Sequence, residues 1–285
     1  MSPILVIGAT GNVGGHVARQ LSAAGIPVRA MARNPKAAQF PSNVQVVGGD
    51  LTIPESLDAC LDGIDAVFLV WTAPLAAVPA VLDRITNRAR RIVFLSAPLK
   101  TPHPLFQQPN PVRAIAEEIE RRIENSGVQW TFLRPGMFAS NALEWWAGQI
   151  RAGDTVRWPH LSVPTAPIDP RDIAAIAVRA LCEDGHAGAE YLLTGPQSLT
   201  HFEQIETLAR ILGRSLRIEE MPPESAPGEL AQLLGFPPVI ARLLLDAWAA
   251  AAGHPAFMSS TFAEITGTPP GTFQAWAADH AALFR

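Results

Sequence analysis

The N-terminal segment constrains the fold more than any other part of the chain. Residues 4–7 are apolar, and three glycines follow at Gly8, Gly11 and Gly14 before apolar residues recur at helical spacing. This order predicts a strand, a tight turn and a helix. Gly8 allows the turn, Gly11 lets backbone N–H groups approach a phosphate, and Gly14 lets the helix pack closely. Because the positive N-terminus of a helix attracts a pyrophosphate, we expect a dinucleotide site; a glycine turn that binds nothing is the structural alternative.

The composition supports a large hydrophobic core and argues against several classes of partner. The chain has 285 residues, of which 48% are hydrophobic and 17% charged, and its formal net charge is -4. No basic block stands out, so we expect no nucleic-acid partner. No apolar stretch reaches the ~18 residues of a membrane span, and residues 4–7 are too short for a signal sequence. We therefore expect a cytoplasmic protein with no membrane partner.

Neither the cysteines nor the histidines have the spacing of a metal site. Cys60 and Cys182 are far apart and fall on apolar faces of predicted helices, which is typical of core thiols in a reducing compartment. The 7 histidines are scattered, without two on one helical turn. The sequence therefore predicts no bound metal.

Strand and helix patterns alternate through the first half of the chain. Short apolar segments predict strands at 4–8, 28–32, 44–47, 66–70, 92–96 and 130–133. Amphipathic segments predict helices at 13–24, 54–60, 75–89 and 112–126. In the last helix Ile115, Ile119 and Ile123 form the apolar face, and Glu120 is among the charged residues off it. The alternation predicts an α/β fold, a doubly wound parallel Rossmann sheet.

The pattern becomes mostly helical after residue 136. Helices are predicted at 139–150, 172–182, 201–212, 227–234, 238–251 and 272–283, with a proline-rich loop at 159–170 and strands at 190–193 and 216–218. We therefore divide the chain into a nucleotide-binding Rossmann domain, residues 1–138 plus about 168–195, and a smaller, mostly helical C-terminal substrate lobe, residues 139–167 plus 196–285.

The end of the second predicted strand indicates which dinucleotide binds. NAD sites usually place an acidic residue there, but this chain has none and carries Arg33 instead. A guanidinium binds phosphate in a forked geometry, so Arg33, supported by Lys36, predicts NADP(H); a solvated surface arginine is the alternative. Asp50 after the third strand would accept from the adenine amino group and Leu51 would line the ring, or else Asp50 is a turn residue.

Several motifs along the chain resemble the NmrA-like family of atypical short-chain dehydrogenases/reductases. They are GATGNVG at 8–14, RNP at 33–35, GDL at 49–51, SG at 126–127, LRPGMF at 133–138, DPRDIA at 169–174 and LTGP at 193–196. The resemblance implies an extended Rossmann fold, NADP(H) in the glycine loop, and a substrate cleft between the sheet and the C-terminal lobe. Members of the family include quinone reductases, phenylpropanoid-type aromatic reductases and catalytically silent redox sensors. The predicted cofactor contacts are Gly8, Thr10, Gly11, Asn12, Val13, Gly14, Arg33, Lys36, Asp50, Leu51, Trp71, Thr72, Ala73, Ser96, Pro135 and Gly136.

The usual proton-donating pair of the superfamily, Tyr-x-x-x-Lys, is absent. Tyr191 is the only tyrosine and lies in a predicted strand, and the only lysines are Lys36 and Lys100. The family's usual lysine early in the helix 112–126 is missing as well. Ser96, at the end of the fifth strand, and His103, in the following loop, are the candidate catalytic residues. Their structural alternatives are a hydroxyl bonded to local backbone and an exposed loop histidine, and water is a third proton source.

Aromatic residues without hydroxyl groups cluster after residue 136. Phe138, Trp145, Trp146 and Trp158, with Met137, are the candidate substrate contacts, and they favour a flat hydrophobic ligand. The alternative is that these rings pack the lobe.

Three functions remain open at this stage. The first is an NADPH-dependent reductase of a small hydrophobic aromatic substrate, such as a quinone, ketone or enone, an aromatic polyketide among them. The second is a non-catalytic NADP(H)-binding redox sensor, and the third a cofactor-retaining isomerase or coupling enzyme. The sequence leaves open whether the chain forms a homodimer.

Overall fold

The structure, a computed structural model, describes residues 2–98 and 100–285. The strands, in chain order, are β1 (Ile4–Val6), β2 (Val28–Ala32), β3 (Val44–Gly48), β4 (Ala66–Val70), β5 (Arg91–Leu95), β6 (Gln129–Pro135), β7 (Thr155–Trp158), β8 (Pro164–Thr165), β9 (Ala189–Leu193), β10 (Leu199–Thr200) and β11 (Arg217–Glu220). The α-helices are α1 (Asn12–Ala23), α2 (Asp58–Leu61), α3 (Val78–Thr86), α4 (Pro104–Gln107), α5 (Pro111–Glu124), α6 (Gly148–Ala152), α7 (Pro170–Cys182), α8 (His201–Leu212), α9 (Ala226–Leu234), α10 (Pro238–Ala251), α11 (Thr261–Thr266) and α12 (Phe273–Asp279). Short 3-10 helices cover Pro35–Ala37, Pro54–Leu57, Leu75–Ala77 and Ala281–Phe284, and a π-helix covers Leu143–Ala147.

The central sheet has the strand order of a dinucleotide-binding fold. Within the described residues its seven strands are ordered β3-β2-β1-β4-β5-β6-β9, and the neighbours from β3 to β6 are parallel. The order reverses between β1 and β4, and ligands of open α/β sheets bind at such a switch point. The predicted α/β class with a parallel Rossmann sheet is confirmed.

Two compact units make up the chain. The first contains the chain up to Ala97 together with Pro111–Pro135 and Pro170–Leu192. The central strands β1 and β4 are apolar along their length because both faces are covered, as the complete burial of Leu5 and Val67 shows. Inside this unit α1 packs against α7, and Gln20 donates from its side-chain amide to the carbonyl of Arg171 at 3.0 Å.

The second unit contains Pro98–Asn110, Gly136–Asp169 and Leu193–Arg285. It holds most of the later helices and two small sheets, β7 with β11 in parallel and β8 with β10 antiparallel. A capping box fixes the N-terminus of α8: Thr200 and Glu203 each accept a hydrogen bond from the other's backbone N–H.

Some sequence predictions need correction. The loop 98–110 was assigned to the nucleotide-binding domain, but it groups with the second unit. The single helix predicted at 139–150 contains a π-helical turn, and β7, α4 and α11 were not predicted. Cys60 is a buried core thiol, whereas Cys182 ends α7 with its side chain exposed. The functional roles assigned to the two domains stay predictions.

The described ranges contain neither a single membrane-spanning helix nor a cluster of metal-binding side chains. There, no individual helix combines the length and the apolar character that crossing a membrane requires; the bent pair α9 and α10, at 117°, meets the criterion jointly by length and composition only. No cluster of three or more histidine, cysteine, aspartate or glutamate side chains that could hold a metal ion occurs among residues 2–98 and 100–285.

Candidate functional site

The turn between β1 and α1 is built on glycines that have no room for a side chain. Gly8 has a φ of +81°, and a Cβ added there would lie 2.7 Å from the Cβ of Val70. A Cβ added to Gly14 would lie 2.3 Å from the carbonyl oxygen of Gly8. Gly11 donates its N–H to that same carbonyl at 2.9 Å, which closes the turn. Side chains are therefore excluded here, and the backbone is left bare, as a phosphate-binding turn requires.

The N-terminus of α1 is open to a ligand. Gly11 is the N-cap residue and supplies no side-chain cap, and Gly15 donates to Gly11 at 3.0 Å as the first backbone bond of the helix. The backbone N–H groups of residues 12–14, which precede this bond, lie at the turn that an anion would approach. Thr10 and Asn12 are exposed at this point, whereas the side chain of Val13 is buried, so Val13 can offer only its backbone.

Arg33 follows β2 at the same edge of the sheet and is exposed. Its positive charge reaches Asp50: hydrogen bonds from the backbone and hydroxyl of Thr52 lower the pKa of Asp50, and Arg33 lowers it further. Lys36 is exposed in the 3-10 helix that follows. The two cations therefore flank one corner of the carboxyl edge, where they can meet a phosphate.

Asp50 and Leu51, which follow β3, stabilise the fold, and Leu51 has little surface for the adenine ring that the sequence predicted it to line. Oδ1 of Asp50 accepts from both the N–H and the hydroxyl of Thr52 at 2.8 Å, the geometry of a turn-forming aspartate. Leu51 is 3% exposed and packs in the hydrophobic core of the first unit, so it has almost no surface for an adenine ring. The turn-residue alternative fits Asp50 best, and the predicted ring contact of Leu51 is corrected to a core role.

The ends of β4 and β6 differ in what they expose. After β4, Trp71 is half-buried and donates from its indole to the carbonyl of Ala73 at 2.5 Å, Thr72 is exposed, and Ala73 lies in the core. Pro135 is the last residue of β6 and is buried, and Gly136 donates its N–H to a neighbouring backbone carbonyl at 2.9 Å. Of these five candidate contacts, Thr72 is exposed, Trp71 and Gly136 are half-buried, and Ala73 and Pro135 are buried.

Ser96 has an acidic partner that the sequence prediction did not include. Its hydroxyl donates to Oε1 of Glu120 on α5 at 2.6 Å. Glu120 is 5% exposed, so its placement off the apolar helix face was wrong. Arg134 on β6 donates to the same carboxylate through Nε at 3.1 Å and Nη2 at 2.6 Å, and through Nη1 to Glu190 at 2.5 Å.

This ion-pair network lies beneath the carboxyl edge of the sheet. Burial by itself would lower the pKa of Arg134, but the hydrogen bonds and charges of Glu120 and Glu190 raise it above its usual value. A sequence signal did exist: Glu120 follows the buried Ala116 by four residues and precedes the buried Ile123 by three, so it shares their helical stripe. A carboxylate at such a position indicates a buried partner.

His103 is a capping residue in the second unit. It is 8% exposed, and its Nδ1 accepts from the N–H of Leu105 at 3.2 Å at the start of α4. Since Nδ1 accepts, Nε2 carries the proton and donates to the carbonyl of Pro255 at 2.9 Å. Both ring nitrogens are therefore engaged within the protein, which corrects two expectations: the exposed loop histidine and the catalytic proton donor.

The predicted substrate tryptophans are core residues. Trp145, Trp146 and Trp158 pack with Trp248 and His201 inside the second unit, and Trp158 has an exposed fraction of 0%. Nε1 of Trp146 and of Trp158 and Nε2 of His201 find no hydrogen-bond partner among the described residues. Trp145, Trp146 and Trp158 therefore pack the interior of the second unit, as the alternative interpretation held. The substrate role predicted for these three tryptophans is corrected.

Two further aromatic residues, Phe138 and Tyr191, lie outside this tryptophan cluster. Phe138 is half-buried and forms an isolated bridge with Ile168, so it keeps accessible surface for a ligand. Tyr191 lies in β9, as predicted, and its hydroxyl is 2.7 Å from Nδ1 of His186.

Comparison with known proteins identifies the family to which a chain with this glycine turn belongs. The family model described as NAD(P)H-binding matches residues 8–184. The chain belongs to this NAD(P)H-binding family. The predicted cofactor class and the predicted resemblance are confirmed at that level.

Two relatives match the chain over its whole length. It is 39% identical over 293 residues to a (4-alkanoyl-5-oxo-2,5-dihydrofuran-3-yl)methyl phosphate reductase of Streptomyces griseus, with 99% of each chain covered. It is 32% identical over 292 residues to an NAD(P)H azoreductase of Xenophilus azovorans, again with 99% of each chain covered. Both relatives are reductases, and the prediction of an oxidoreductase is confirmed to that extent.

Solved structures share the fold. A triphenylmethane reductase of Citrobacter sp. in complex with NADP(H) superimposes with a TM-score of 0.80 at 20% identity, covering 98% of this chain and 99% of its own. An NADPH-dependent quinone oxidoreductase of Escherichia coli gives 0.78 at 23% identity, covering 99% and 100%. At these identities the similarity establishes the architecture.

Proposed function

We propose that the protein is an NADPH-dependent reductase of small, hydrophobic acceptors such as quinones, enones and ketones. The observation that carries the proposal is the bare glycine turn at the switch point of the sheet, where Gly14 leaves no space for a Cβ. The similarity of the whole chain to two reductases supports the same conclusion.

The residues of the turn fit a dinucleotide. The backbone of Gly11 to Gly14 would hold the pyrophosphate at the N-terminus of α1, and Thr72 and Ser96 lie along the ends of β4 and β5, towards the nicotinamide half. NADPH bound there supplies a hydride. The chain's part is to hold and orient the nucleotide, and this needs no nucleophile.

The preference for NADPH over NADH rests on Arg33. β2 is followed by this exposed cation at the position where NAD sites usually carry an acidic residue, so a ribose 2′-phosphate would meet a forked donor there. Lys36 adds a second positive charge nearby.

The names of the relatives support the proposed substrate class. Their acceptors are named as an alkanoyl dihydrofuranone phosphate and azo compounds, which are electron-poor conjugated systems. An acceptor of this kind takes a hydride without an acid that polarises a carbonyl. This matches a chain that lacks Tyr-x-x-x-Lys and whose His103 has both ring nitrogens hydrogen-bonded.

A substrate panel tests the proposal directly. Purified protein is incubated with NADPH and, in turn, quinones, enones, azo dyes, aliphatic ketones and sugars, and the consumption of NADPH is followed by absorbance. We expect turnover with quinones, enones and azo dyes, and little with unconjugated aliphatic ketones or with sugars. NADPH binding without turnover on any acceptor would favour the sensor alternative. Conversion of a substrate without net loss of NADPH would favour the isomerase.

A further inference from the structure

The arrangement of Ser96 and Glu120 gives the serine a different role from proton donation. We propose that Glu120 is a positioning residue which fixes the Ser96 hydroxyl as a hydrogen-bond acceptor for bound NADPH, while water supplies the proton that completes the reduction. The inference rests on the proposed function, since it concerns the same nucleotide site.

A serine hydroxyl has one hydrogen to donate and two lone pairs that accept. In this structure the hydrogen is directed to Oε1 of Glu120 at 2.6 Å, a distance typical of a donor bonded to a carboxylate. The Ser96 oxygen therefore has only lone pairs left to offer. A partner at this oxygen must itself be a donor, such as a ribose hydroxyl or the carboxamide NH2 of the nicotinamide.

The orientation of Glu120 is fixed by Arg134. The carboxylate accepts two N–H groups from the guanidinium in addition to the serine hydroxyl, so it receives three donors. Glu120 and Arg134 are 5% and 4% exposed, and their pairing inside the unit leaves little room for another geometry.

The position of Ser96 suits contact with the nicotinamide half. Val70 pairs with Leu95 in the parallel register of β4 and β5, so Ser96 lies level with Trp71 just beyond the strand ends. In the sheet, β5 is two strands from β1, which is roughly 10 Å from the pyrophosphate turn. The half-buried Ser96 is therefore placed beside a dinucleotide that runs from the switch point across β4.

The chemistry balances without a side-chain acid. The acceptor receives a hydride at one end of its conjugated double bond while NADPH is oxidised to NADP+. The electron pair of the double bond becomes an anion on the acceptor. That anion takes a proton from water, and the hydroxide released is neutralised by the buffer.

The experiment measures NADPH affinity by calorimetry and steady-state kinetics on the same variants. Ser96→Ala removes the acceptor, so we expect NADPH binding to weaken about three- to tenfold, while kcat changes less than threefold. Ser96→Thr keeps the hydroxyl and should restore binding. Glu120→Gln allows the amide NH2 to donate to the serine and turn its hydrogen outward, which should weaken NADPH binding as Ser96→Ala does.

The double variant separates positioning from general damage. If Glu120 acts through Ser96, Ser96→Ala with Glu120→Gln binds NADPH no more weakly than Ser96→Ala alone. Glu190→Gln is the matched control, because it removes the other carboxylate partner of Arg134 without touching Ser96, and it should lower thermal stability and leave NADPH affinity unchanged. If Glu120→Gln does not fold, the variants Ser96→Ala and Ser96→Thr still test whether the Ser96 oxygen accepts a hydrogen bond from NADPH.

Three outcomes have distinct meanings. A loss of kcat of a hundredfold or more in Ser96→Ala, with NADPH affinity unchanged, makes Ser96 the proton donor and overturns the inference. Unchanged affinity and kcat in Ser96→Ala also overturn it, while leaving the reductase proposal intact. Wild-type protein that does not bind NADPH at all overturns both.

Discussion

Gly14 lies so close to Gly8 that any side chain would collide with the backbone: an added Cβ would be 2.3 Å from the Gly8 carbonyl oxygen. The contact holds the first turn of α1 against the end of β1, which keeps the helix N-terminus directed at the turn.

Gly14→Ala should displace the turn and abolish detectable NADPH binding, and it should destabilise the protein by about 1–3 kcal/mol as overpacking does. Calorimetry and denaturant unfolding measure the two effects. Gly148→Ala is the control, because Gly148 is helical with no atom within 4 Å of an added Cβ and should be neutral or slightly stabilised. NADPH affinity that survives Gly14→Ala would contradict the assigned turn.

Arg33→Ala should weaken NADPH binding roughly tenfold or more and change NADH binding little, because only NADPH carries the 2′-phosphate that the guanidinium would bind. Binding constants for both nucleotides decide this. Arg90→Ala is a matched loss of an exposed arginine, 80% of whose side chain is accessible, before β5 at the opposite edge of the sheet. Equal losses for the two nucleotides would remove Arg33 from the site.

The free energy of unfolding should decrease as the pH is lowered, because His201 is buried in its neutral form. Burial lowers the pKa of His201 to about 4, against about 6.5 in an unfolded chain. Between these values the unfolded state binds the extra proton, so stability is complete above about pH 6.5 and is lost as the pH falls towards 4, by on the order of 3 kcal/mol. His160, whose pKa is also lowered by burial, adds to the loss in the same direction.

Unfolding in denaturant at several pH values between 4 and 8 measures this dependence. His201→Asn retains an N–H donor for the carbonyl of His160 but does not titrate, so its stability should be lower overall and depend less on pH. His254→Asn removes an exposed histidine of the same unit and should leave the slope as in the wild type. An unchanged slope in His201→Asn would show that other groups cause it.

Trp158→Phe should reduce stability by about 1–3 kcal/mol while the KM for the acceptor stays within about twofold, because the ring is enclosed in the core. Phe138→Ala should change stability little and raise the KM for the acceptor, because Phe138 retains exposed surface and is, with the half-buried Met137, a remaining candidate for contact with the acceptor. Thermal unfolding and acceptor kinetics on both variants test the contrast. A large rise in KM for Trp158→Phe at unchanged stability would restore its substrate role.

The features that the sequence predicted well are local ones. The β1 strand, the glycine turn and α1 follow from residues within about twenty positions of each other, because dihedral preferences and hydrophobic periodicity act over that distance. The parallel sheet followed from the alternation of buried strands and helices. The chain location of Arg33 after β2 was therefore visible before any contact was known.

The features that were missed depend on residues far apart in the chain. Ser96 and Glu120 are joined across 24 positions, and His103 meets the carbonyl of Pro255 across 152. Trp158 has an aromatic sequence neighbourhood that suits a pocket and a core equally well, and only the packing of α8 and α10 around it makes it core. Which interpretation holds depends on partners that composition and spacing do not specify.

The sequence by itself determined the backbone scaffold: a bare glycine turn at the start of a parallel sheet, with a cation following the second strand. Only the tertiary structure decided the roles of Ser96, His103 and the tryptophans, because a side chain's hydrogen-bond partners and burial are set by which elements pack against it. Local preferences fix where the chain turns, whereas long-range packing fixes which polar groups remain available for a ligand.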